Sequence, residues 1–207
     1  EIEAAYTFSL SAKDLADHQA EYVWYPTLDG SAPVLSSADY SGDVKSVRDA
    51  QGNEVTEDAA GARWVYADAV TLTAVITEAN FLAQDAAVYV YRDGKKLDSG
   101  DGYRYAAGDW KQDSADKTKH TLELTLGEDN RDGRFDGVYQ VVIKYRDHAG
   151  NAMADFISRA VVIDTAAPEI TVTYDRNTAV NKNCYNEKRT AEIAVTDKNL
   201  GVKDFEI

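Results

Sequence analysis

The stretch YQVVIKYRDHAGNA, residues 139–152, decides the fold class of this 207-residue chain. Tyr139 opens a run in which apolar side chains recur at every second position, through Val141 and Ile143. A period of two places those side chains on one face of a β-strand, and that face packs against a core. The run therefore predicts a half-buried strand that ends in a turn.

A near-copy of this stretch stands close to the start of the chain. YTFSLSAKDLADHQA, residues 6–20, also begins with Tyr, and both copies carry an Asp eight residues later and an Ala two positions after it. The two stretches are offset by 133 residues. Self-similarity at a long, fixed interval is typical of a tandem array of domains.

Alternation with a period of two recurs along the chain, whereas long helical periodicity does not. In residues 88–97, VYVYRDGKKL, the pair Asp93-Gly94 supplies the positive φ angles that a tight hairpin turn requires. These patterns predict an all-β, antiparallel fold. The other alternating runs are TLTAVIT (71–77), TLELTL (121–126), EITVTYD (169–175) and AEIAVTD (191–197).

Tyr139 also carries a more specific signal. It follows Asp136-Gly137 directly before a strong strand, which is the arrangement of the tyrosine corner in immunoglobulin-like sandwiches. In that motif the phenol hydroxyl bonds to backbone upstream. Tyr6 holds the equivalent place in the first copy.

Two further matches extend the repeat. LDGSAPVL (28–35) parallels IDTAAPEI (163–170) at an offset of 135, and VYADAVTLTAVITEANF (65–81) parallels CYNEKRTAEIAVTDKNL (184–200) at an offset of 119. We attribute the smaller offset to extra loop residues around 45–62, because insertions in surface loops cost little.

The order along the chain is therefore the end of one repeat, a complete repeat, and the start of a third. We place the last strands of a preceding repeat at 1–31, a complete repeat at 32–164, and the first strands of a following repeat at 165–207. Incomplete repeats expose an apolar face, since two or three strands alone are marginally stable. We expect strands of the incomplete repeats to pair between copies of the chain, or both incomplete repeats to pack against the complete one.

The motifs and their order resemble the bacterial immunoglobulin-like tandem repeats of large cell-surface proteins from Gram-positive anaerobes. The second copy shows the motifs on which this resemblance rests, and the third copy repeats their beginning as CYNEKRTAEIAVTDKNL. The chain departs from the family pattern at DLADH (14–18), at ADAVT (67–71) and in the long 41–64 segment. The matching motifs are TEANF (77–81), Trp110, KHTLEL (119–124), DGVY (136–139), YRDHAGN (145–151) and VVIDTAAP (161–168).

The resemblance implies a non-catalytic module in an extracellular protein of the bacterial cell surface or cell wall. Such a module acts as a stalk and as an adhesion surface. One alternative is capture of a host surface or serum protein, including immunoglobulin through its variable domain, in the manner of a superantigen. A second alternative is an accessory or carbohydrate-binding module of a secreted glycan-degrading enzyme.

Charge and composition exclude some functions. The formal net charge of −14 disfavours nucleic acid as a partner, because its phosphates would be repelled. The chain contains no stretch of about 18 uninterrupted apolar residues, so the sequence does not predict insertion into a membrane. The chain carries no recognisable catalytic motif, and its one cysteine, Cys184, has no histidine nearby in the sequence.

Four residues are candidates for binding. Tyr103 and Tyr105 lie in the Gly-rich stretch SGDGYRYAAGDW (99–110), which has the composition of an adaptable recognition loop, so we expect them to be exposed ligand-binding residues. Asp147 and Asp164 lie towards domain junctions, where Ca²⁺ is the candidate ion; no other cofactor is expected. The indoles of Trp24, Trp64 and Trp110 are expected to be packed.

Overall fold

The computed structural model describes residues 4–175, 187–197 and 199. Those residues are almost entirely β-structure, as the alternating pattern predicts, with two short 3-10 helices at Ala83–Asp85 and Ala107–Asp109. The strands are β1 (Ala4–Ala5), β2 (Phe8–Lys13), β3 (Gln19–Trp24), β4 (Thr27–Leu28), β5 (Val34–Ser41), β6 (Val44–Arg48), β7 (Arg63–Tyr66), β8 (Val70–Thr77), β9 (Ala87–Arg92), β10 (Lys95–Lys96), β11 (Lys111–Gln112), β12 (Lys119–Leu126), β13 (Gly137–Lys144), β14 (Phe156–Ile157), β15 (Val161–Ile163), β16 (Glu169–Tyr174) and β17 (Ala191–Thr196).

The strands from β5 to β15 form two sheets. One has four strands in the order β11-β12-β8-β5, and the other has seven strands, with β10-β9-β13-β15-β7-β6 in order and β14 also paired to β13. The described pairings are antiparallel except that of β15 with β7. Most of the pairing therefore agrees with the antiparallel fold predicted from the sequence.

The core lies between these two sheets. Along β8, Leu72, Ala74 and Ile76 are buried, and they belong to the same apolar cluster as Val141 and Ile143 on β13. Each fully buried aliphatic side chain of this size contributes roughly 1.5–3 kcal/mol by leaving water. The alternating pattern correctly identified the buried face of both strands.

Two local predictions are confirmed. Asp93 and Gly94 adopt φ angles of 52° and 77° in the turn between β9 and β10. The hydroxyl of Tyr139, which is fully buried, donates a hydrogen bond of 2.6 Å to the carbonyl of Phe135. The turn before β13 is thus tied to the strand by its first tyrosine.

Two hairpins flank the paired sheets, and both are exposed. In β2–β3, Phe8 lies opposite Trp24 and Leu10 lies opposite Tyr22, so these four side chains share one face. Trp24 is 56% exposed, so the expectation that it is packed is wrong. No second sheet covers this face within the described part of the chain.

The C-terminal hairpin has the same character. In β16–β17, Val172 pairs with Ile193 and Ile170 pairs with Val195, which gives one apolar face, while Thr and Glu side chains occupy the other. Ile170, Val172 and Ile193 are exposed.

No helix in the described residues is long and apolar enough to span a lipid bilayer.

Candidate functional site

Tyr103, one of the two tyrosines expected at an exposed loop, is buried in the core. It is 6% exposed, and its hydroxyl donates to the carbonyl of Leu97 at 3.3 Å. Burial raises the pKa of its phenol. The expectation that Tyr103 is exposed is therefore wrong, and a role in direct ligand contact has no surface to act through.

Tyr105 is half-buried against the same core. Its hydroxyl donates to the carbonyl of Ala86 at 2.9 Å and accepts a hydrogen bond of 3.1 Å from the indole nitrogen of Trp110. Burial raises its pKa as well. Since Tyr105 and the buried Trp110 fix each other, this stretch is an anchored part of the fold rather than an adaptable loop.

An aromatic cluster centred on Phe81 lies next to this anchor. The ring of Phe81 stacks on His120 with a centroid distance of 4.2 Å and contacts Trp110 and Tyr145 at 5.3 and 4.8 Å. The hydroxyl of Tyr145 accepts a hydrogen bond from the backbone N–H of Leu82. The cluster therefore holds the segment after β8 firmly in place.

The two aspartates considered for Ca²⁺ lie at opposite ends of the seven-stranded sheet. Asp147 follows β13 and Asp164 follows β15, and these neighbouring strands are antiparallel. The two residues therefore do not form one site, and each must be considered with its own neighbours.

Asp147 lies in a carboxylate cluster with Asp29 and Glu78. One oxygen from each of the three side chains lies within 4.8 Å of the others, and both Glu78 and Asp147 are 4% exposed. Ca²⁺ takes six to eight oxygen ligands and favours carboxylates, so these three residues have the chemistry of a partial calcium site. The sequence could not indicate the cluster, because its members are far apart along the chain.

Two asparagines hold this cluster together. The backbone N–H of Asn80 donates to Glu78 Oε1 at 2.6 Å, and its side chain donates to Asp29 Oδ2 at 2.8 Å. The side chain of Asn151 donates to the carbonyl of Asp29 and to Asp147 Oδ2. Asp29, which precedes β5, is thus clamped between the turns that follow β8 and β13.

Asp164 has an equivalent neighbourhood at the other junction. Burial raises the pKa of Asp164, and the charges of Asp197 and Asp136 raise it further, while Asn199 opposes the shift. The backbone N–H of Asn199 donates to Asp197 Oδ1 at 2.6 Å, which matches the contact between Asn80 and Glu78. Asp164, Asp197 and Asn199 follow Asp29, Glu78 and Asn80 at the offsets of 135, 119 and 119 residues.

A turn of one type occurs at three places. Asp147 accepts the backbone N–H of Asn151 with its side chain while its own N–H donates to the carbonyl of Asn151. Asp49 makes both contacts with Asn53, and Asp14 makes both with His18. The sequence DLADH therefore forms the same turn as DHAGN, although it departs from the family pattern.

The penultimate residue of this turn needs a positive φ. Gly150 and Gly52 adopt φ angles of 95° and 82° there, and Asp17 adopts 68° in the first copy. Aspartate is among the residues that tolerate this conformation best after glycine. Hydrogen bonds from His18 and Asn53 lower the pKa of Asp14 and of Asp49 respectively.

A cleft of about 650 Å³ opens beside β5 and β7, and sequence reasoning did not identify it. Tyr40, Trp64 and Arg159 line it, and the guanidinium of Arg159 lies 4.1 Å from the Trp64 ring centroid. The Tyr40 hydroxyl donates to Ser158 Oγ at 2.8 Å, and burial raises its pKa to about 12. The unusual length of the 41–64 segment was the one available signal.

Comparison with protein-family models, with curated proteins and with solved structures found no match.

Proposed function

We propose that this chain is part of a tandem array of immunoglobulin-like repeats in an extracellular bacterial surface protein, where it acts as a non-catalytic stalk and interaction module. The proposal depends on one observation: the C-terminal hairpin begins in the same register as the pairing of β5 with β8, up to the bulge after Leu35. Val34 pairs with Thr77, and Glu169 pairs with Thr196, so the partners are separated by the offsets of 135 and 119 found in the sequence.

The strand order of the two main sheets supports an immunoglobulin-like topology. If β5, β8, β9, β10, β11, β12, β13 and β15 are assigned as strands A, B, C, C′, D, E, F and G, one sheet reads D-E-B-A. The other sheet reads C′-C-F-G and continues beyond G with β7 and β6. Constant-type immunoglobulin domains divide their strands as ABED and CFG. The tyrosine corner at Tyr139 also falls at the start of strand F, where that fold places it.

The junctions support the stalk role. At each junction a linker aspartate lies beside an acidic residue that directly follows a strand. Asp29 lies beside Glu78, which follows β8, and Asp164 lies beside Asp197, which follows β17. An asparagine two positions after the acidic residue completes each group. Such contacts restrict how neighbouring repeats swing, and rigid spacing is what a stalk requires.

The two hairpin faces, which are exposed in the described residues, support the further proposal that copies of this 207-residue chain associate through them. In the repeat, β2 corresponds to β13 and β17 corresponds to β8. In the complete repeat, the apolar faces of β13 and β8 pack together in one core. The face of β2–β3 in one molecule therefore fits the face of β16–β17 in the next.

The area is sufficient for a weak association. Each face presents four large apolar side chains, and at roughly 100 Å² for each they would bury about 800 Å², which is below the range of about 1,200–2,000 Å² for stable specific interfaces and fits only a weak one. They are Phe8, Leu10, Tyr22 and Trp24 on one hairpin and Ile170, Val172, Tyr174 and Ile193 on the other.

Sedimentation velocity with complementary variants tests this proposal. Phe8→Glu should block the N-terminal face and Val172→Glu the C-terminal face, so each variant alone should be monomeric at concentrations where the wild type associates. An equimolar mixture keeps one intact face of each kind and should give a one-to-one dimer. Ser11→Glu, on the polar face of β2, is the matched control and should associate like the wild type. A wild type that stays monomeric at all concentrations, or a variant that still associates alone, contradicts the proposal.

A further inference from the structure

We propose that the cleft beside β5 and β7 binds a carboxylate-bearing saccharide of one or two sugar rings. This site goes beyond the stalk function and does not depend on it. Six residues of the cleft carry the argument: Tyr40, Glu57, Arg63, Trp64, Phe156 and Arg159.

The cleft belongs to the complete repeat and not to the scaffold that the copies share. One of its walls is the segment from residue 50 to residue 62. That segment falls within the insertion that lowers the sequence offset from 135 to 119, so the third copy is 16 residues shorter between the equivalent strands. Loops positioned on a rigid scaffold are where binding residues concentrate.

The charge of the cleft differs in sign from that of the chain. Arg63 and Arg159 face Glu57, which leaves one net positive charge, whereas the whole chain carries −14. Among the residues that the structure describes, neither arginine forms an ion pair with a carboxylate. Arginine presents a planar set of donors that matches a carboxylate with two parallel hydrogen bonds.

The remaining groups suit a sugar ring. Tyr40, Trp64 and Phe156 give the cleft an aromatic lining, and a volume of about 650 Å³ lies within the usual range for small-ligand sites. Glu57 can accept hydrogen bonds from sugar hydroxyls. An acidic peptide offers its carboxylates without the ring hydroxyls that Glu57 could bind, so the combination favours an acidic saccharide over an acidic peptide.

A polar group beneath the cleft is consistent with this assignment. The hydroxyl of Tyr66 is buried and has no hydrogen-bond partner among the described residues, and the charge of Arg159 reaches both Tyr66 and Tyr40. Buried polar groups in folded proteins almost always have partners, and one without a partner calls for an explanation such as a bound water, a bound ion or a functional role.

The first experiment uses the three indole N–H signals of the wild-type chain in NMR spectra. Digalacturonate is the probe, and its methyl ester, which lacks the charge, is the matched control ligand. Digalacturonate should shift the Trp64 signal in a saturable manner and leave Trp24 and Trp110 unmoved, and the ester should bind at least tenfold more weakly. Absence of a saturable shift, or equal affinity for acid and ester, overturns the proposal.

Variants then test whether the two arginines bind the carboxylate of the ligand. Arg159→Gln and Arg63→Gln should each weaken digalacturonate binding at least tenfold, whereas Arg131→Gln, at an exposed arginine outside the cleft, should leave it unchanged. Calcium-free sedimentation of the same variants should show unchanged self-association, which separates this test from that of the stalk. A glutamate-rich peptide that shifts Trp64 when digalacturonate does not would overturn the saccharide assignment.

Discussion

Strands β2 and β13 share an alternating apolar pattern but have very different surroundings. Phe8 and Leu10 stand at the positions of Val141 and Ile143, 133 residues earlier. The later pair is fully buried, whereas Phe8 and Leu10 are 53% and 58% exposed. The difference shows that the alternating pattern specifies which face of a strand is apolar, and that burial additionally requires a second sheet to cover that face.

Truncation of the two equivalent side chains should give the largest difference. Ile143→Ala should lower the free energy of unfolding by roughly 2–5 kcal/mol, because it leaves a cavity in a packed core. Leu10→Ala, at the equivalent position, should change it by less than about 0.5 kcal/mol in the monomer, as is usual for exposed sites. Urea unfolding measures both, and equal losses would mean that the hairpin is packed as tightly as the paired sheets.

Calcium should affect the junction at Asp147 and not the junction at Asp164. If Asp29, Glu78 and Asp147 hold the ion, Ca²⁺ at about a hundredfold excess over its Kd should stabilise the chain by about 2.7 kcal/mol. Asp147→Asn should abolish the rise in melting temperature, whereas Asp164→Asn, at the other junction, should retain it.

The control for calcium is Asp39→Asn, at an exposed aspartate in the middle of the β5–β8 pairing, which should respond like the wild type. If calcium and chelator both leave the wild-type melting temperature unchanged, no calcium is bound, and the asparagine hydrogen bonds alone hold the junction.

The smallest expected effect concerns His120, which is buried beside Phe81 in the complete repeat. Burial lowers its pKa below the ordinary value of 6.5, and the hydrogen-bonding contact with the Glu78 carbonyl only partly offsets this. As the pH falls through 6.5, the unfolded chain therefore binds more protons than the folded chain does. The free energy of unfolding that neutral His120 contributes above that pH is lost as the pH falls towards the folded-state pKa.

His120→Gln tests this because glutamine does not titrate. The loss of melting temperature between about pH 7.5 and about pH 5.5 should be smaller in the variant than in the wild type. An unchanged loss in His120→Gln would assign the pH dependence to carboxylates.

Local chemistry predicted much of the fold. The period of two located the buried faces of β8 and β13, Asp93-Gly94 located a turn, and Tyr139 located a corner. Each of these features depends on residues within a few positions of one another, and such features can be identified from one sequence.

Features that depend on distant partners could not be predicted. Tyr103 and Tyr105 looked like loop residues because their aromatic neighbours and carbonyl acceptors become close only in the folded chain. The same reason hid the carboxylate cluster, which brings Asp29 and Glu78 to Asp147. The cleft could not be predicted because a long insertion indicates a loop but does not show which surface that loop forms.

An alternating strand of this chain is protected from solvent only where a second sheet covers its apolar face. Amide hydrogen exchange of dilute, monomeric chain tests this most directly, because it compares Val141 and Ile143 with Phe8 and Leu10 in one sample. We expect the β13 amides to exchange only through global unfolding, and the β2 amides to exchange at least a thousandfold faster through local opening, as regions of low contact density do. Equal protection of the two strands would contradict the claim.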